Sequence, residues 1–145
     1  MISVSLSAIV DGALARTALY RTLNPNTAST ILCHDDAPAL RRTARDVLAR
    51  CAMSLAPMIK NCNIDTVDIE SDDTIEFDLN IASSNEGIVR CLLESAATSG
   101  VLATAFVAVD PSQASDYMSK IEHYTSLILS LQQLNYNSHR RPYAA

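Results

Sequence analysis

Residues 100–109, GVLATAFVAV, contain no charged side chain and are apolar on every face if they form a helix. Such a helix has to be covered on all sides, because an apolar face left in water loses the free energy of burial. Small residues such as Ala96, Ala97 and Gly100 let neighbouring backbones approach it closely. The sequence therefore predicts a central helix, reaching Val109, around which the other elements pack.

Apolar residues at helical spacing predict two helices before this one. The first covers residues 6–23 and ends before the NPNTAST stretch, because proline with flanking asparagines disfavours a helix. The second starts near Pro38, with Asp35 or Asp36 as its cap, since a side-chain oxygen satisfies the open amides and proline is tolerated in the first turn. Pro57 ends this helix near Ala56 or kinks its last turn.

Two further start signals place the later helices. Ser83 and Glu86 form a capping box that predicts the start of the central helix. Asp110-Pro111, with Gln113 three residues after the aspartate, predicts the start of a fourth helix. That helix repeats apolar residues at heptad spacing: Ala114, Tyr117, Ile121, Tyr124, Ile128 and Leu131. The seam packs either within its own domain or between subunits.

Residues 66–82, TVDIESDDTIEFDLNIA, alternate apolar and polar side chains, as in strands with one buried face. We predict strands at about 66–70 and 74–82, joined by a short turn at Ser71-Asp72-Asp73. The apolar side chains, Val67, Ile69, Ile75, Phe77, Leu79 and Ile81, should face protein. The carboxylates should form a solvated acidic face or meet a basic partner: Asp68, Glu70, Asp72, Asp73, Glu76 and Asp78.

The spacing of the acidic residues in this stretch shows whether it matches a calcium-binding loop. An EF-hand loop that starts at Asp68 needs Gly at its sixth position and Glu at its twelfth. The chain has Asp73 and Leu79 at those places, so we expect no calcium site.

Composition predicts a globular protein of one domain, since the 145 residues are 48% apolar and 19% charged. We expect one helical domain over residues 1–134 and a polar tail over 135–145. The four cysteines form no CxxC pair, and no catalytic or phosphate-binding motif occurs. We therefore expect no enzyme activity, cofactor or metal. The run 100–109 is too short to cross a bilayer, so a soluble protein made in a cytoplasm is predicted.

Charge is unevenly distributed along the chain. Residues 1–60 carry seven basic and four acidic groups, a net charge of +3, whereas residues 61–145 carry four basic and twelve acidic groups, a net charge of −8. Such polarity suits a protein that meets copies of itself or a charged neighbour. In the tail, Arg140, Arg141, Pro142 and Tyr143 predict a segment that binds a partner through paired hydrogen bonds to carboxylates and an amphipathic ring.

The order of these elements resembles that of the head–tail connector (adaptor, or head-completion) proteins of long-tailed bacteriophages. The residues that carry the resemblance are the basic helix APALRRTARDVLARCAMSLAP, the hairpin VDIESDDTIEFDL and the helix NEGIVRCLLESAATSGVLATAF. Together they span residues 37–106, about half of the chain. The long heptad helix and the N-terminal helix are departures from that family's pattern.

The resemblance implies a non-enzymatic virion protein, synthesised in the host cytoplasm, that forms a homo-oligomeric ring, possibly a dodecamer, beneath the portal. DNA would pass through the ring without specific binding, and the portal and tail-side virion proteins would be its partners. No membrane is implied. Two other classes stay open: a small acidic cytoplasmic binding protein or chaperone acting as a dimer, and a regulator that places its arginine-bearing second helix on nucleic acid.

Overall fold

The computed structural model describes residues 1–23 and 37–133, which form four α-helices and a three-stranded antiparallel sheet. In chain order the elements are β1 (Ile2–Ser5), α1 (Leu6–Leu23), α2 (Ala37–Ser54), β2 (Ile59–Cys62), β3 (Thr74–Leu79), α3 (Glu86–Phe106) and α4 (Pro111–Ser130). The predicted class, mainly α with a β-hairpin, is confirmed. The predicted break at NPNTAST, the cap at Asp35 or Asp36 and the tail lie outside the described residues.

The sheet differs from the prediction in its strands. The strand order is β1-β3-β2, so β3 is central and forms a hairpin with β2 rather than with residues 66–70. The predicted strand at 66–70 is wrong, because β1 and β2 already occupy both edges of β3. The N-terminal strand β1 was not predicted, although Ile2 and Val4 alternate with serines and both are buried.

One face of the sheet is apolar. Ile2 lies opposite Phe77 and Val4 opposite Ile75, so the two strands place their buried side chains side by side. Side chains of alternate residues point to one face of a strand, which leaves Glu76 on the exposed side. The predicted alternation in β3 is therefore confirmed, although the strand ends at Leu79 rather than at 82.

Helix α3 is central, since it contacts α1, α2, α4 and β1. All residues from Ala96 to Ala103 are buried. At Gly100 the helix backbone comes so close to α2 that a Cβ built there would lie 2.7 Å from Cγ1 of Val47 and 3.0 Å from its Cβ. The prediction that the central helix continues to Val109 and is covered on all sides is wrong, because α3 ends at Phe106 and Val107 is 63% exposed.

Helix α4 packs its seam within the chain. Ala114 and Ile128 are buried, and the other seam residues are half-buried against the core. We expect the third and fourth helices to form the core through Leu92, Leu93, Leu102, Phe106, Ile121, Tyr124 and Ile128. Leu93, Leu102, Phe106 and Ile128 are buried, whereas Leu92, Ile121 and Tyr124 are half-buried. The seam therefore lies against the chain's own core, mainly against α3.

The two predicted caps have different outcomes. The carboxylate of Asp110 accepts a hydrogen bond from the N–H of Gln113 at 3.3 Å, so the start of α4 is confirmed. The capping box at Ser83 is wrong, because residues Ser83–Asn85 form a 3-10 turn and no side chain caps α3. Glu86 forms an ion pair with the amine of Met1 instead, at 3.1 Å.

Within the described residues, the helical segment Ser83–Phe106 has the length and composition of a membrane-crossing helix. It is longer than the ten-residue apolar run considered in the sequence, because the helix begins well before that run. In the most apolar 18-residue stretch of this segment, 56% is buried inside the folded chain. A core helix of a soluble protein has the same properties.

Candidate functional site

The connection between β2 and β3, residues 63–73, carries five of the chain's carboxylates and is called here the acidic loop. Local turns build it. The carbonyl of Asn63 accepts the N–H groups of Thr66 and Val67, both at 3.0 Å, and the carbonyl of Asp68 accepts the N–H of Asp72 at 2.7 Å. These bonds satisfy the backbone locally, which is why the segment needs no partner strand.

The apolar residues of the acidic loop still face protein, as the sequence predicts. Ile64 is buried, and Val67 and Ile69 are half-buried against the core. The predicted acidic face divides into two groups. Four of its carboxylates are exposed and Asp78 and Asp73 are partly covered; the exposed ones are Asp68, Glu70, Asp72 and Glu76.

Arg41 of α2 holds the acidic loop against the helices. Its Nε and Nη2 donate to the carbonyl of Ile69 at 2.9 and 2.8 Å, and Nη2 also donates to the carbonyl of Asp72 at 2.8 Å. Its Nη1 donates to a carboxylate oxygen of Asp73 at 2.9 Å. The planar guanidinium presents several donors in one fixed arrangement, so one side chain anchors three residues of the loop.

Asp73 joins the loop to the start of α1. Its carbonyl accepts the N–H of Leu6 at 2.7 Å, and its carboxylate accepts the N–H of Ser7 at 3.0 Å. The hydroxyl groups of Ser5 and Ser7 also donate to this carboxylate. The first amides of a helix have no partner within it and attract negative charge, so Asp73 caps α1 from a distant part of the chain.

These contacts change the acidity of Asp73. Partial burial raises the pKa of its carboxyl group, but the hydrogen bonds from Ser7, Arg41 and Ser5 outweigh that effect and lower the pKa to about 2. Because the folded pKa lies below the ordinary value of 3.8, the charged carboxylate stabilises the fold above that value. The stabilisation is lost as the pH falls from about 4 to about 2.

Replacing Asp73 with asparagine is expected to lower the free energy of unfolding at pH 7 by about 1–2 kcal/mol. The side chain of Asp73 is 45% exposed, so solvent screening keeps the loss below that of a buried pair. Urea unfolding at pH 7 and at intervals down to pH 2 measures it. The Asp73→Asn protein should lose less stability between pH 4 and 2 than the wild type does.

Glu76→Gln is the matched control, because Glu76 points outward from β3, three residues after Asp73, and is exposed. It should change the stability by less than about 0.5 kcal/mol. Equal losses for the two variants would contradict a capping role for Asp73.

A cleft of about 340 Å³ lies between the start of α2 and the acidic loop. Its apolar surface comes from alanine, proline and isoleucine, and charged side chains stand at its walls. The residues that line it are Ala37, Pro38, Arg41, Arg42, Ile69 and Glu70. This surface is called here the loop cleft.

A second concave surface of about 440 Å³ lies where α3 meets α4. It contains Val107, which is 63% exposed, and Met118, which is 46% exposed. Met118 also lines a smaller cleft of about 170 Å³ towards Cys51 of α2. Together they make an apolar track along one side of α4, called here the α4 groove.

Cys51 and His123, whose side chains are of types that serve in catalysis, lie on different helices, α2 and α4. Cys51 is buried, and burial raises the pKa of its thiol to about 11, so the thiol stays protonated at neutral pH. His123 is exposed on α4, with its ring centroid 6.0 Å from that of Tyr124. Over residues 1–23 and 37–133, no group of three or more histidine, cysteine, aspartate or glutamate side chains is placed to hold a metal ion.

Comparison with known proteins finds no significant match to this chain among protein-family models, curated proteins or solved structures. The predicted tail contacts of Arg140, Arg141, Pro142 and Tyr143 lie outside the described residues and stay predictions. Sequence reasoning did not identify the role of Arg41 in holding the acidic loop. The contact joins residues about thirty positions apart, so no local pattern marks it.

Proposed function

We propose that this chain is a non-enzymatic structural subunit of a homo-oligomeric ring, of the kind that connects head and tail in long-tailed bacteriophages. In the proposed virion the portal and tail-side proteins are its neighbours, and DNA passes through the ring without specific binding. The observation that carries the proposal is the pattern of charges that the chain leaves unpaired.

Three ion pairs form within residues 1–23 and 37–133: Met1 with Glu86, Arg41 with Asp73, and Arg45 with Asp46. In the same part of the chain, Arg42 and Arg50 are exposed on α2 without an ion pair. The exposed carboxylates of the acidic loop are also without one. One molecule therefore presents unpaired charges of both signs, with Arg42 beside the acidic loop and Arg50 at the cleft between α2 and α4.

Unlike surfaces of this kind favour contact between copies in a head-to-tail sense. A contact that joins two different patches is heterologous, and it produces a ring when the rotation between copies closes. The acidic loop and the exposed side of β3 also suit a channel wall, because their negative charge repels the DNA backbone. Both properties support the connector interpretation of the element order.

The α4 groove favours a second candidate, a dimeric acidic binding protein or chaperone. Methionine side chains adapt to irregular partners, and Met118 lies in this groove between two clefts. Helix-in-groove binding places the apolar face of an amphipathic helix on such a surface. A client protein would then occupy the groove.

Mass photometry and negative-stain electron microscopy of the purified full chain separate the candidates. The proposal expects closed rings of a single copy number, whose population falls as salt rises from about 0.05 to 0.5 M because exposed charges are screened. A dimer whose mass does not change with salt would favour the binding protein. Steep salt-dependent binding to duplex DNA, with no ring, would indicate the nucleic-acid regulator.

A further inference from the structure

The loop cleft has an apolar floor and acidic surroundings, and nothing in the described chain fills it. Ile69 and Pro38 provide its apolar lining, and the guanidinium of Arg41 in its wall donates two hydrogen bonds to the Ile69 carbonyl. Glu70 stands at the opening and is exposed. Within the described residues, the carboxylate of Glu70 has no side-chain partner. The backbone N–H of Glu70 donates to the carboxylate of Asp68 at 3.1 Å.

The charge around the cleft is negative. The exposed carboxylates of the acidic loop are Asp65, Asp68, Glu70 and Asp72, and Arg42 is the exposed cation beside them. Arg41 and Asp73 neutralise each other. A ligand for this site should therefore combine cationic groups with an apolar or aromatic group.

The segment NSHRRPYAA of this chain has that chemistry. Arg140 and Arg141 supply two guanidinium groups, and Tyr143 supplies a ring two residues later. Pro142 restricts the conformations of the free segment, so less entropy is lost on binding. The side chain of one tyrosine fits within a cleft of this volume.

The described chain ends on the side of the sheet away from the loop cleft. Gln133 is anchored to Asn80 by two hydrogen bonds, Gln133 N–H to the Asn80 carbonyl at 2.8 Å and Asn80 Nδ2 to the Gln133 carbonyl at 2.7 Å. Asn80 follows the end of β3 that lies opposite the acidic loop. To reach its own cleft, the segment would have to run back about 23 Å along β3, and the ten residues from 134 to Tyr143 span about 33 Å when extended. The segment can therefore reach a cleft at that distance, and the proposed ring supplies the cleft of a neighbouring copy.

We infer that residues 134–145 of one copy bind the loop cleft of the next copy, with Tyr143 in the cleft and Arg140 and Arg141 on the carboxylates of the acidic loop. The inference rests on the proposed ring and names its subunit contact. The contact joins two different surfaces, so it propagates around a ring.

A charge-exchange experiment on the full chain tests this contact. One variant carries Glu70→Lys and the other carries Arg140→Glu with Arg141→Glu. Each variant alone should associate at least about tenfold more weakly than the wild type in sedimentation velocity at low salt. In an equimolar mixture the two variants should associate as a pair with near wild-type strength, because the arginine tail of the Glu70→Lys variant meets the unchanged acidic loop of the other variant.

Controls separate this contact from other effects. Glu122→Lys makes the same charge change on an exposed glutamate of α4 and should leave assembly unchanged. Tyr143→Ala should weaken assembly without changing the salt dependence. Circular dichroism melting should be unchanged in all of these variants, because Glu70 is exposed and the tail substitutions act on the contact between copies.

The outcomes distinguish this inference from the proposed function. Rings that form equally well in all variants would overturn the tail contact and leave the ring standing. A wild-type protein that stays monomeric would overturn both. A mixture of the two variants that does not associate would overturn the contact between copies, because that mixture contains an unchanged tail and an unchanged acidic loop. Loss of portal binding with intact rings would place the tail on the portal instead.

Discussion

Replacing Phe106 with alanine is expected to lower the free energy of unfolding by about 3–5 kcal/mol. Phe106 is 2% exposed at the end of α3. Its ring centroid lies 4.7 Å from that of Tyr20 in an edge-on contact and 5.9 Å from that of Tyr117 in a stacked contact. One side chain therefore joins α1, α3 and α4, and its removal leaves a cavity that three helices line.

Chemical denaturation at pH 7 measures this loss. The dependence of the free energy of unfolding on denaturant concentration should be the same in the variant and the wild type. Val107→Ala is the matched control, since Val107 is the next residue and is 63% exposed. It should change the stability by less than about 0.5 kcal/mol. A loss below about 1 kcal/mol for Phe106→Ala would mean that the end of α3 is not packed as described.

Replacing Gly100 with alanine is expected to destabilise the protein by about 1–3 kcal/mol, although alanine is the better helix former. In an exposed helix position the same change would stabilise it by about 1 kcal/mol. At Gly100 the new Cβ would lie 3.0 Å from the Cβ of Val47, an atom that cannot move without the backbone of α2. The two helices must therefore move apart and lose contacts along their interface.

Two further variants test the reason for this loss. Gly87→Ala should stabilise the protein by about 0.5–1 kcal/mol, because a Cβ there meets no atom within 4 Å. Val47→Ala should be less harmful in the Gly100→Ala background than in the wild type, with an interaction energy of about 1–2 kcal/mol in a double-mutant cycle. Independent, additive effects would contradict the close approach of α2 and α3 at Gly100.

The helices follow closely from local sequence. The spacing of apolar residues places α1 at Leu6–Leu23, and the Asp110 cap fixes the start of α4. Both signals act within a few residues, through side-chain periodicity and a hydrogen bond to the third residue along. The alternation in β3 is equally local, and its three buried residues, Ile75, Phe77 and Leu79, were identified correctly.

Local sequence does not show in the same way which elements pack or pair with one another. Val67 and Ile69 show the spacing of a strand, yet their segment forms turns because Arg41 binds the Ile69 carbonyl and β1 takes the adjacent edge of β3. A short alternating run is compatible with a strand or with a loop that rests on the core. The choice between them depends on residues far away in the sequence.

The candidate site shows the same division. Its composition, exposed carboxylates on one side and arginines on α2, is readable in the chain and predicts a surface that meets charged partners. The individual role of Asp73 cannot be read from the sequence, because its hydrogen-bond partners Ser5, Ser7 and Arg41 lie between 32 and 68 residues away along the chain. The loop cleft also exists only because α2 and the acidic loop are brought together.

The sequence by itself determined which segments are helical, which face of β3 is apolar, and that α3 is central. These properties depend on the periodicity of apolar residues, on helix caps and on the apolar character of a segment, all of which act over short spans of chain. Tertiary structure alone decided that the N-terminal residues pair with β3, that Gly100 lies against Val47, and that Arg41 and Asp73 fasten the acidic loop to the start of α1. These contacts join residues that are far apart in the chain. Their free energy depends on the distance and direction at which the folded backbone presents each group, and no local pattern of residues carries that information.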